Sequence, residues 1–253
     1  ACEAILSLTS LLLLDELGLL ALVLDTFPRL MVARSTLIAL QEARNTFTSG
    51  WGRDRATRIM AQLQKNFSKI SHPPYVLEES QAGAPDWYYE EKTAIEQAGR
   101  VYFSDDIVET YLVCSAGPNT PPRPSISTVD FLTWADKSVG IVSPREVADA
   151  IGRMTDLRVM AVTVEQRYFI AAIPEALNEA TSQAQAEAVL RNAQTFQSIL
   201  DGVWNHYKPF ADLRTHFAAN MVYLLNEEGA NEEVLVALWL RWLGTVRFQV
   251  KPN

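Results

Sequence analysis

The sequence predicts an α/β domain with a mainly parallel sheet over residues 1–175, followed by an all-helical extension over 176–253. Three observations carry this. Short apolar runs ending at polar residues alternate with stretches of helical periodicity as far as Val164, the order of a parallel sheet with helical crossovers. From about Pro174 onward only helical stripes occur. The composition, 48% hydrophobic and 21% charged over 253 residues, is that of a globular chain with a sizeable core and excludes disordered or collagen-like classes.

Ala4–Ser7 read as a buried strand, and the leucine-rich run Leu11–Leu24, interrupted at Asp15-Glu16 and Gly18, as two short helices on the sheet. Pro28 closes the second helix, Leu30–Ala33 form a strand, and Ser35 is placed to cap a helix reaching Arg44. Asp54 is placed to cap the next, in which Ile59, Met60, Leu63 and Phe67 recur at helical spacing until His72-Pro73-Pro74. Val76–Asp86 read as a loop and Trp87–Ala98 as a helix ended by Gly99. Val101–Phe103 is a strand, and Ile107–Cys114 a helix. Gly117–Pro124 is an exposed irregular loop, because its prolines lack donors. Ser127 caps a helix to about Lys137, Ser143-Pro144 opens another, and Arg158–Val164 is a further strand. In the helical extension Val189, Ala193, Phe196, Leu200 and Val203 form one stripe, Leu213, Phe217, Met221 and Leu224 a second, and Asn231 opens a last helix with an apolar face including Trp239 and Trp242.

Thirty acidic against twenty-two basic residues give a net charge of −8, which argues against nucleic-acid binding through overall charge and leaves a local patch open. The two cysteines, Cys2 and Cys114, show no metal-ligand or disulfide spacing, so a reducing cytoplasm is expected. The apolar opening from Ile5 to Leu24 carries Asp15 and Glu16 at its middle, where an acid inside a bilayer costs about 3 kcal/mol, so it reads as buried protein rather than a membrane span. No basic segment precedes it as in a signal peptide. The start at Ala1, without methionine, reads as a fragment of a longer polypeptide or a processed chain.

Ligands of parallel sheets lie beyond the carboxyl ends of the strands, where Asp105 and Asp106 stand. Carboxylates there could hold Mg²⁺ or Mn²⁺ for phosphodiester chemistry; equally, Asp106 could cap the helix it begins, with Glu109 completing a capping box. The most basic stretch holds Arg44, Arg53, Arg55, Arg58, Lys65 and Lys69 against Asp54, a local excess of five. Arg53, Arg55, Arg58 and Lys65 could follow a phosphate backbone, with Trp51 stacking a base, or they could be the solvated face of an amphipathic helix. His72, His206 and His216 are isolated, and neither GxSxG nor HExxH occurs.

The order of these features resembles the PIN-like nuclease domains: Ile5-Leu6-Ser7-Leu8-Thr9 and the leucine helices, Arg29 through Leu37, Val101 through Asp106, and the Ser127-Thr128 pair. The resemblance covers roughly residues 1–175 and implies a three-layer fold with a metal-dependent RNase or nuclease site. It implies Asp105 and Asp106 as catalytic acids, and Asp105, Asp106, Asp130 and Glu42 as metal-site acids for Mg or Mn acting on RNA or single-stranded nucleic acid. The family's strand-one aspartate falls on Ser7 and its helix glutamate on Ala39, so two expected acids are absent. A weakened nuclease is one expectation; the other is a non-catalytic PIN-like interaction module, with the C-terminal helices as a protein-docking or homo-oligomer surface.

Overall fold

Glu-Ala-Ile-Leu at residues 3–6 is almost wholly apolar, and a run without alternation suits a strand covered on both faces. In the computed structural model, which describes residues 3–46, 50–73, 85–116, 121–159, 162, 164–205 and 237, this run is the central strand of a five-stranded sheet. The strands are β1 (Glu3–Leu6), β2 (Leu30–Val32), β3 (Ile70–Ser71), β4 (Arg100–Phe103) and β5 (Ser125–Ile126). They lie in the order β3-β2-β1-β4-β5, all parallel, with Ile5 opposite Met31 on one side and Tyr102 on the other.

Parallel neighbours require crossovers, which the helices supply. α1 (Leu8–Leu17) and α2 (Leu20–Thr26) join β1 to β2, and the leucine run divides where Gly18 takes the left-handed conformation at φ 75°. α3 (Arg34–Thr46) and α4 (Trp51–Lys65) precede β3, α5 (Asp86–Ile95) precedes β4, and α6 (Ile107–Cys114) lies between β4 and β5. Side chains alternate across the sheet. Ile5, Met31 and Tyr102 pack with Ala94, Ile95, Val113 and Cys114 of α5 and α6, while Phe103, one residue on, meets Phe27 and Phe131 at ring distances of 6.5 and 6.0 Å. Helices therefore cover both faces.

Some boundaries differ from the sequence reading. α3 begins at Arg34, so Ser35 lies inside it; α4 begins at Trp51 after Gly50, so Asp54 sits in its first turn rather than capping it. The two-residue strands β3 and β5 were not expected, since two residues carry no readable period. α7 (Thr128–Trp134) follows β5 and continues into a π turn over Ala135–Val139. Arg158, Val159, Val162 and Val164, all within the expected strand Arg158–Val164, are not in a strand; the rest of that segment lies outside the described residues. Arg158, at φ 60°, instead helps close a helix end, its N–H bonding the Thr155 carbonyl and that of Val159 the Met154 carbonyl.

The chain divides into compact units 1–131 and 132–253, rather than near residue 175. The second contains α8 (Pro144–Asp156), α9 (Gln166–Ala172), α10 (Gln183–Asn192) and α11 (Gln194–Asn205). Ser143, Pro144 and Glu146 start α8 with a complete capping box. The stripe from Val189 to Val203 spans two helices, because the chain breaks at Ala193. The stripes expected beyond residue 205 lie outside the described residues, apart from Ala237, which is helical and buried. Among the described residues no helix is long and apolar enough to cross a membrane.

α8 and α11 approach closely at Gly152, where an added Cβ would stand 3.3 Å from the Thr195 carbonyl oxygen and 3.4 Å from its Cα. Backbone atoms cannot rotate away. Gly152→Val is therefore expected to lower stability by about 2 kcal/mol through overpacking. Gly152→Ala should be nearly neutral, since a helix-propensity gain of about 1 kcal/mol offsets its milder crowding. Urea unfolding of both variants, followed by a probe in this unit, checks the contrast.

Candidate functional site

The chain runs from β1 through β2 to β3 in one direction along the sheet and from β4 to β5 in the other, so the topological switch lies between β1 and β4. At the carboxyl ends there, Ser7 follows β1, Ser104-Asp105-Asp106 follow β4, and Ser127-Thr128 follow β5. Asp105 and Asp106 thus stand where a ligand of this fold would lie. What they do there is set by their hydrogen bonds.

Asp105 Oδ1 accepts from the Thr128 backbone N–H at 2.8 Å, and Oδ2 accepts from the Thr128 hydroxyl at 2.7 Å and the Ser10 hydroxyl at 3.1 Å. The Asp105 N–H in turn donates to Ser10 Oγ at 3.1 Å. Three of its roughly four acceptor positions are occupied. One side chain thereby ties together the ends of three strands through α1, the β4 turn and α7. Burial raises the Asp105 pKa, against the lowering effect of these hydrogen bonds, and Asp130 adds to the rise.

The other expected acids are committed locally. Asp106 caps α6, its Oδ1 accepting from Val108 N–H at 2.7 Å and Glu109 N–H at 3.0 Å. Asp130 Oδ2 accepts from the Ser127 N–H and hydroxyl at 2.8 and 2.7 Å, a capping arrangement at the start of α7. Glu42 is exposed on α3. Ser7, at the position of the missing strand-one acid, caps α1 and lies 2.9 Å from the Thr9 hydroxyl. Glu109, expected as a capping-box partner, receives hydroxyls from Thr9 at 2.5 Å and Ser104 at 3.0 Å. Among the described residues no group of three or more His, Cys, Asp or Glu is placed to hold a metal ion, so Asp105, Asp106, Asp130 and Glu42 do not assemble as a ligand set.

Two buried acids escaped the sequence reading. Glu90 Oε2 accepts from the Ser35 N–H at 3.1 Å and hydroxyl at 2.8 Å, supplying from α5 the N-terminal cap that Ala33 cannot give α3. Glu91 accepts from the Tyr102 hydroxyl at 2.6 Å inside the core, and burial pushes its pKa up to about 8, with Glu109 and Glu90 adding to the rise. A signal was present: Glu91 is four residues from both Trp87 and Ile95, on the apolar face of its helix. Burial also pushes the Cys114 thiol up to about 11, away from thiolate chemistry.

The basic helix is largely spoken for. Arg55 is buried, ion-paired to Glu16 and 3.5 Å from Asp15, with its guanidinium 3.5 Å above the Trp51 ring centroid. Arg58 forks onto Asp15 at 2.7 and 3.3 Å, a contact that raises its pKa, whereas burial lowers that of Arg55. The acids that interrupt the leucine run are thus the counter-charges of the basic helix, and two of the four expected phosphate contacts are neutralised within the protein. Arg53 and Lys65 are exposed on α4. Comparison with protein-family models, with curated proteins and with solved structures gives no match.

Proposed function

We propose that residues 3–131 form a PIN-like module that acts through contacts rather than through metal-dependent phosphodiester cleavage. The observation that carries this reading is that Thr128 and Ser10 occupy three of the roughly four acceptor positions of Asp105. A hard cation requires several anionic oxygens with free lone pairs. Here the principal acid is a structural clasp, Asp106 and Asp130 are helix caps, and Ser7 and Ala39 stand where further acids are expected. The parallel sheet with helices on both faces supports the PIN-like part of the reading.

A weak nuclease is the second reading, favoured by the gathering of Asp105, Asp106 and Asp130 at the strand ends and by the electrostatic influence of Asp130 on Asp105. The two separate in one experiment: Mn²⁺ titration of the whole chain by calorimetry, with cleavage of single-stranded RNA followed in Mg²⁺ and in Mn²⁺. No saturable binding at millimolar Mn²⁺ and no metal-dependent cleavage are expected. Cleavage that Asp105→Asn abolishes and Ser7→Asp increases would establish the nuclease instead.

A further inference from the structure

We propose that α5 is a pH-operated clasp: on ionisation of the Glu91 carboxyl the helix leaves the sheet as a unit, uncapping α3 and baring the apolar surface around Ile5 and Tyr102. The buried side chains of α5 are Glu90, Glu91, Ala94 and Ile95, so this helix buries as many carboxyls as apolar groups. Fully buried acids are rare unless paired. Glu91 is 1% exposed, and among the described residues its hydrogen-bond partner is the Tyr102 hydroxyl at 2.6 Å. Tyr102 itself lies in the apolar cluster with Ile5, Met31, Ile95 and Val113.

The elements packed against α5 are α3, α6, β1 and β4, and their charged groups supply Glu91 with no cation. β4 carries Tyr102 and Arg100, and the Arg100 guanidinium is held by Glu3 of β1 at 2.7 Å and by the Ala94 carbonyl at 2.8 Å. α6 carries Glu109, the exposed Tyr111 and the buried Cys114 thiol. α3 carries Arg34 and Glu42, both exposed, and the half-buried Arg44. On α5 itself Asp86 is exposed, Tyr88 and Tyr89 are half-buried, and Lys92 donates to the Tyr88 hydroxyl at 2.7 Å. Glu109 and Glu90 repel a charge on Glu91, and burial holds it uncharged up to about pH 8, against an ordinary 4.5.

A carboxylate formed here lacks water and counter-charge, and it gains both when its helix moves outward. α5 is the covering element least able to resist. Only Ala94 and Ile95 tie it down as fully buried apolar groups, with Trp87 and Tyr88 partly so, whereas β1 and β4 are each hydrogen-bonded to strands on both sides. Glu90 leaves with the helix, so the Ser35 N–H and hydroxyl lose the acceptor that caps α3. The clasped form binds a proton that the open form gives up. Opening therefore grows about tenfold per pH unit between the ordinary and the raised value, and is independent of pH outside them. The clasp operates whether the unit makes contacts or cleaves RNA.

Amide exchange of the whole chain from pH 5 to 9, corrected for the intrinsic rate, tests the clasp. Protection of the α5 amides and of the Ser35 N–H is expected to fall together, about tenfold per pH unit up to about pH 8, and then to level off. β1 and β4, which open only with the whole unit, should remain at least about tenfold better protected than α5 at pH 8. In Glu91→Gln the slope should vanish and α5 protection at pH 8 should rise at least about a hundredfold, whereas Glu90→Gln should keep the slope. The unmodified chain decides the first two points even where a variant does not fold. Flat α5 protection across the range, equal protection of α5 and β1 at pH 8, or a slope that survives in Glu91→Gln overturns the proposal.

Discussion

Replacing Glu91 with Gln is expected to stabilise the α/β unit at pH 8 and to remove most of its stability loss between pH 5 and 8. The Glu91 carboxyl keeps its proton in the folded chain to about pH 8, against an ordinary value of 4.5. Between those limits the folded state binds one more proton than the unfolded state, so stability falls as pH rises, by about 1.4 kcal/mol per pH unit for this group. The loss is absent below the ordinary value and complete above the raised one, on the order of 5 kcal/mol in all. Burial is the main cause. Glu109 and Glu90 add unfavourable charge, and only the hydrogen bond from Tyr102 favours the anion. Glutamine preserves the side-chain shape and an oxygen to accept from Tyr102, and it never ionises. Amide exchange of β1 and β4, measured from pH 5 to 8 and corrected for the intrinsic rate, reports on this unit alone. A wild-type chain whose β1 protection is flat across the range, with Glu91→Gln weaker at every pH, would show that the carboxyl is ionised and paired in some other way.

What could be read from the sequence and what could not divides along chain separation. β1, β4, the break at Gly18 and the capping box that opens α8 depend on neighbouring residues: an unbroken apolar run, a glycine able to turn left-handed, a Ser-Pro-x-Glu pattern. The placement of Asp105 at a strand end was readable for the same reason. Its role was not, because its donors, Ser10 and Thr128, lie 95 and 23 residues away. Likewise Asp15 and Glu16 look like an interruption in a leucine run until α4 brings Arg55 and Arg58 to them. A charge cluster shows where charge lies along the chain, while its partner is chosen by packing. The excess of five around α4 therefore overstated the field available to a phosphate backbone.

Asp105→Ala is expected to destabilise the α/β unit by about 3 kcal/mol, because it leaves the buried Thr128 N–H without its acceptor and takes from the Thr128 and Ser10 hydroxyls the carboxylate that holds both. Part of that loss is offset, since the variant no longer buries a carboxylate whose pKa is already raised by desolvation. Asp105→Asn should cost less than about 1 kcal/mol. Its amide oxygen can take the Thr128 N–H, and its NH₂ can donate to the two hydroxyl oxygens once these rotate, so the three-strand clasp survives without charge. The ordering separates the clasp from a metal ligand. A ligand aspartate would make Asn as damaging as Ala to Mn²⁺ affinity while sparing the metal-free fold, and Mn²⁺ would stabilise the native chain alone. Urea unfolding of the three proteins, with and without millimolar Mn²⁺, reads both quantities together. Metal-free stability within about 0.5 kcal/mol of the native chain for Asp105→Ala would remove the clasp, and with it the structural reason for reading this acid as anything but a vacant ligand.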